Sequence, residues 1–122
     1  MTGDIADLQA RAEAGDAEAQ FRYGQALQYG LGVPMDDDMS LSWYQAAAAQ
    51  GFDRARFSLG EIYKEGRITP QDLVQAWAWH KVVADNQGEL QSAARESCSE
   101  LAPYMTAEQM AEAERKAVSL TA

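Results

Sequence analysis

The sequence predicts an all-α fold: a short right-handed α-solenoid of antiparallel helix pairs, about seven helices in two full repeats with a cap at each end. Three observations carry that reading. The chain repeats itself at a spacing of thirty-six residues without an insertion: Gly15 and Gly51, Ala19 and Ala55, Phe21 and Phe57, Gly24 and Gly60, Gly30 and Gly66, Asp36 and Asp72, Trp43 and Trp79. A period of this length marks stacked supersecondary units. Alanine is abundant and β-branched residues are scarce, which favours helix throughout. Glycines close successive apolar-periodic stretches.

The elements follow in order. Helices are expected over 4–14, 16–29, 37–50, 53–65, 70–86, 89–101 and 107–120. Ile5, Leu8 and Ala12 form a helical stripe and fall opposite Leu41, Tyr44 and Ala48, so the first helix reads as half a unit serving as a cap. Residues 1–14 are then the N-terminal cap, 15–51 the first repeat, 52–88 the second, and 89–122 a degenerate third unit with a C-terminal cap. Gly15, Gly30, Gly51, Gly66 and Gly88 read as left-handed helix ends. Asp36, Asp37 and Asp38 suit the positive end of a helix. Thr69-Pro70 reads as an N-cap followed by proline at the first helical position, and Thr106 with Gln109 as a capping box. Ala94 and Cys98 stand for Ala55 and Leu59 only with a shift of register. Met110, Ala113, Ala117 and Leu120 give the last helix one apolar seam.

Glycine inside a helix costs about 1 kcal/mol relative to alanine. Gly24 and Gly60 both sit inside helices, so close helix approach is expected there, widened by Ala19 and Ala55. Trp43 and Trp79 are expected to fill the space between pairs, with Tyr23, Leu27, Leu59 and Tyr63 facing the core.

The run from Ala12 through Gly15, Ala19, Tyr23, Gly24, Leu27, Gly30, Gly32, Asp36, Trp43 and Tyr44 to Gly51 closely resembles the Sel-one-like repeat, a relative of the tetratricopeptide repeat. The second copy, 48–88, departs from it: Ile68 replaces a loop glycine, Thr69-Pro70 replaces the valine region, and His80 replaces the tyrosine after tryptophan. The resemblance implies an α-solenoid that scaffolds protein partners, often in bacterial signalling, envelope or secretion-linked systems.

Function follows from what such an array exposes. The first helix of each unit lines the concave face of a two-helix solenoid. Its free stripe is Glu18, Phe21, Gln25 and Gln28 in one copy and Arg54, Phe57, Glu61 and Lys64 in the next. The resemblance implies that a protein or peptide segment binds there. Phe21 and Phe57 are either aromatic anchors flanked by charge or rings packed between adjacent first helices. Tyr29 and Glu65 end the same helices as a rim. The expected function is a non-enzymatic interaction module, an adaptor, regulator or inhibitor. The alternative is a self-assembling scaffold, a weak homo-oligomer pairing through Met105, Met110 and Leu120 of its terminal helix.

Other classes are disfavoured. A formal net charge of −9 and a pI near 4.4 repel phosphate backbones and anionic membrane surfaces. No apolar run reaches membrane-spanning length, and no secretory signal is read at the N-terminus, so a cytoplasmic location is expected. Cys98 is the single cysteine, excludes an intramolecular disulfide and reads as a small packed side chain. His80, the single histidine, reads as a half-buried ring in place of Tyr44. It has no further His or Cys cluster to make a metal site. No phosphate loop or nucleophile elbow is present, so no cofactor and no catalytic residue are expected. An enzyme using His80 with a neighbouring carboxylate is the remote third reading.

Overall fold

The structure, a computed structural model, describes residues 4–121. It is an all-α solenoid of antiparallel helix pairs. Seven α-helices lie among the described residues: α1 (Ile5–Glu13), α2 (Ala17–Tyr29), α3 (Asp37–Ala49), α4 (Asp53–Glu65), α5 (Leu73–Ala84), α6 (Gln91–Leu101) and α7 (Ala107–Leu120). A single 3-10 turn, Ala102–Tyr104, follows α6 and was not anticipated from the sequence. Packing divides the chain into two compact units, Met1–Ala55 and Arg56–Ala122, and the division falls one turn into α4.

Aspartates start the helices. Asp4, Asp16, Asp36 and Asp72 each accept a hydrogen bond from the backbone N–H three residues on, at 2.9–3.1 Å. Each satisfies a donor the helix leaves orphaned and is worth about 1 kcal/mol. The Thr106–Gln109 capping box forms in both directions, at 3.1 and 2.8 Å. Two expectations are corrected. α5 begins at Leu73 with Asp72 as its cap, so Thr69-Pro70 lies in the preceding loop. The Asp72 N–H donates to the Tyr63 carbonyl at 2.9 Å, which holds the loop back against α4 and delays the helix. Gly88 is not left-handed. Gly15, Gly30, Gly51 and Gly66 are, together with Gly32, but α5 ends at Ala84 and leaves Gly88 in the following turn.

In the first unit, Leu8 and Ala12 of α1 pack with Ala19, Tyr23 and Leu27 of α2. Ile5, Val33 and Trp43 close over that cluster, with Trp43 edge-on to Tyr23 at 5.7 Å. Helix α1 thus covers the apolar face of α2, as a capping half-unit must. In the second unit α5 is the hub. Ala76 and Trp77 pack with Leu101 and Ala113, and Ala78 and Val82 pack with Ala117. Met105, Met110 and Leu120 lie against these clusters. The seam offered for self-pairing thus lies half-buried against its own unit, where it helps cover α5.

Candidate interaction surface

The two glycines that interrupt α2 and α4 explain how each helix pair closes. A Cβ on Gly24 would stand 3.1 Å from Cδ1 of Tyr44, and a Cβ on Gly60 would stand 2.5 Å from Nε2 of His80. An aromatic ring from the second helix of each repeat thus lies directly against the glycine of the first. Both rings are buried, Tyr44 at 1% and His80 at 0% exposure.

The two rings then reach different partners. The Tyr44 hydroxyl donates to Oε1 of Gln28 at 2.6 Å. Burial, with a smaller contribution from Tyr29, pushes this hydroxyl well above the ordinary tyrosine range, so it stays a protonated donor. His80 is shorter and meets Glu61, one turn earlier on its helix, at 2.9 Å from Nε2 to Oε2. Burial lowers the His80 pKa; Glu61 opposes that shift and Lys64 adds to it. The ring is neutral. Because a carboxylate only accepts, Nε2 carries the proton and donates, and Nδ1 is buried without a hydrogen-bond partner. The half-buried ring expected from the sequence is in fact fully enclosed, because Gly60 leaves room beneath it and Phe57 sits edge-on above it at 4.6 Å.

The predicted stripe residues divide accordingly. Glu18 is exposed and Gln25 half-buried on α2. Phe21 is buried at 6% exposure, its ring 5.7 Å from Tyr44 and 5.4 Å from Phe52, and Gln28 is buried under Tyr44. Those two are committed to internal packing. On α4, Arg54 is exposed, while Phe57, Glu61 and Lys64 are half-buried. Glu61 bridges His80 on one side and Lys64 Nζ, at 3.3 Å, on the other. Phe57 is more open than Phe21 because Gly88 stands where Phe52 stands in the first copy; its inner side packs against the cluster of Val83, Ala84 and Ala94. The structure thus adds His80 to the Phe57, Glu61 and Lys64 of the predicted stripe and gives the four one outward face; the stripe did not include the histidine.

The remaining candidates are inert. Cys98 Sγ lies 3.8 Å from the Trp77 carbonyl, and burial pushes its thiol up to about 11, so no thiolate forms at neutral pH. With no exposed atom, His80 offers a substrate nothing to meet. Among the described residues no three His, Cys, Asp or Glu side chains gather as a metal site, and no helix is long and apolar enough to cross a membrane. Tyr29, expected as a rim residue, is exposed, and three further large apolar side chains that the sequence did not single out, Leu31, Met35 and Met39, are exposed at the same end of the first helix pair.

The profile of the Sel1 repeat matches residues 17–52 and 53–86. The fold is similar to the crystal structure of a protective antigen present in uropathogenic Escherichia coli strains, which displays an SLR fold. The TM-score is 0.88 at 34% identity, and the match covers 95% of this chain and 24% of the antigen. This chain therefore spans about a quarter of that protein's length. A Sel1 repeat protein from Oxalobacter formigenes shares the fold at TM-score 0.61 and 22% identity, over 92% of this chain and 98% of that one. No curated protein matches.

Proposed function

This chain belongs to the Sel1 repeat family, and we propose that it is a non-enzymatic module that takes a protein or peptide segment along the first helices of its repeats. Sel1 repeat proteins are in general protein-interaction modules. The observation that carries the reading is the division of labour on α2 and α4. Their inward positions are fixed by ring-on-glycine packing, while Glu18, Gln25, Arg54, Phe57, Glu61 and Lys64 keep polar or aromatic atoms at the surface. A rigid helix presenting an aromatic among opposite charges is the composition of a binding hot spot. Phe57 supplies apolar area, Lys64 and Arg54 supply cations, and Glu61, fixed by His80, supplies an oriented carboxylate acceptor. Phe21 and Gln28 act through the shape they impose on α2.

The test is affinity capture from the native cell, comparing wild type with the double variant Arg54→Glu, Lys64→Glu. Both side chains reach solvent, so the variant stays helical by circular dichroism and loses its partners. A folded variant that retains every partner removes the first helices from the account.

A further inference from the structure

The first helix pair ends in an apolar cluster that the second does not have. Tyr29, Leu31, Met35 and Met39 are 60%, 60%, 61% and 42% exposed, four of the six large apolar side chains exposed among the described residues. They occupy the last residue of α2, the connecting loop and the first turn of α3. The loop is tied shut by the Asp36 N–H donating to the Leu27 carbonyl at 2.9 Å and the Leu31 N–H to the Ala26 carbonyl at 2.9 Å. Met35 lies against Gly30, whose Cβ, if present, would stand 3.0 Å from Met35 Cγ. These apolar groups are thus held on one ordered end of the pair.

The repeat supplies its own control. Thirty-six residues on, the same four positions are Glu65, Arg67, Gln71 and Gln75. The second copy builds the same turn, with Asp72 capping α5 as Asp36 caps α3 and the Asp72 N–H donating to Tyr63 as Asp36 donates to Leu27. Turn formation therefore does not require apolar residues at these positions. Exposed apolar groups that the scaffold does not use mark a contact surface, and methionines suit one that adapts to its ligand.

Charge selects the ligand. Between Arg22 and Arg54 there is no Lys or Arg, while Asp36, Asp37 and Asp38 follow directly on Met35 and precede Met39. We propose that this end of the first helix pair docks a basic amphipathic segment of a partner protein, its apolar side chains on Tyr29, Leu31, Met35 and Met39 and its Lys or Arg side chains beside the exposed Asp38. The surface is distinct from the first-helix stripe, so either can fail without the other.

The experiment uses the transplant variant Tyr29→Glu, Leu31→Arg, Met35→Gln, Met39→Gln, which gives the first copy the residues the second already tolerates. One acid and one base are added, so net charge is unchanged. The probe is a fluorescently labelled amphipathic peptide of Leu and Lys, with a Leu and Glu peptide of the same pattern as its counterpart, both read by anisotropy. Wild type binds the Lys probe at least about tenfold more tightly than the Glu probe, and added salt weakens that binding. The transplant variant, with unchanged helicity, loses about tenfold or more in affinity for the Lys probe. Equal affinity of wild type and transplant, or equal affinity for the two probes, overturns the proposal. So does sedimentation showing that wild type dimerises and the transplant does not, since the occupant is then a second copy of this chain.

Discussion

The two units solve one packing problem with different chemistry. Each lays a ring from its second helix on a helical glycine of its first. In the first unit the ring is Tyr44 over Gly24, long enough to reach Gln28 and end in a complete hydrogen bond. In the second it is His80 over Gly60, pressed closer, reaching only as far as Glu61 and leaving Nδ1 without a partner. The difference teaches that the repeat fixes where a ring must lie and leaves open what it does there. The first unit uses the freedom to complete a neutral core. The second uses it to hold a carboxylate at the surface.

Breaking the second unit at its cover has the largest expected effect. Ending the chain at Pro103 removes Ala113 and Ala117, which cover Trp77, Ala78 and Val82. The loss is on the order of a small domain's whole stability, about 5 kcal/mol, and chemical denaturation should show the cooperative transition of that unit gone. An unchanged melting temperature would refute the role given to α7.

The glycines sharpen the contrast directly. Gly60→Ala forces a Cβ into a fully enclosed ring and should cost about 2–3 kcal/mol even after the gain in helix propensity. Gly24→Ala asks Tyr44 to give only a few tenths of an ångström. The helix gain of about 1 kcal/mol offsets much of that, leaving a net loss below about 1 kcal/mol. Equal losses in urea titrations would mean the two rings are seated alike. Tyr44→Phe should cost about 1–2 kcal/mol, because Gln28 Oε1 is left buried without its donor; a neutral result by the same titration would show that Gln28 finds another partner.

The smallest effect is on pH dependence. His80 has a folded pKa below its ordinary value of 6.5. The stability tied to its neutral form is therefore present above pH 6.5 and is lost as pH falls through the folded pKa, where the unfolded chain binds the extra proton. Glu61 and Lys64 are the charges acting on the ring. Below pH 6.5 wild type should lose stability faster than His80→Gln, by at most about 1.4 kcal/mol per pH unit. Parallel curves from melting temperatures across pH 4–7 would place the His80 titration outside the fold's energetics.

How much of this the sequence held depends on whether the signal was local. The period of thirty-six residues set the helix pairs, and the i, i+3, i+4 spacing of Ile5, Leu8 and Ala12 set the cap, because both are written along one helix. The start of α5 was also readable: the pairing of Asp36 with Asp72 outweighs the local attraction of Thr69-Pro70. The stripe was only half readable. Helical spacing put Phe21 and Phe57 on one face, but the cover over Phe21 comes from Tyr44 and Phe52, remote in sequence, and its absence over Phe57 comes from a glycine at position 88. The His80–Glu61 contact was hidden for a similar reason. Ring length, which no spacing rule encodes, decides which turn of the facing helix is reached.

The central claim is that the copies share a scaffold and that their exposed differences choose the partner. Placing the second copy's surface residues on the first, in the variant Glu18→Arg, Gln25→Glu, tests it by quantitative affinity capture against wild type. Both positions retain solvent access, so stability should stay within about 1 kcal/mol. The account predicts a folded protein that exchanges part of its partner set; a folded protein with the wild-type set intact would contradict it.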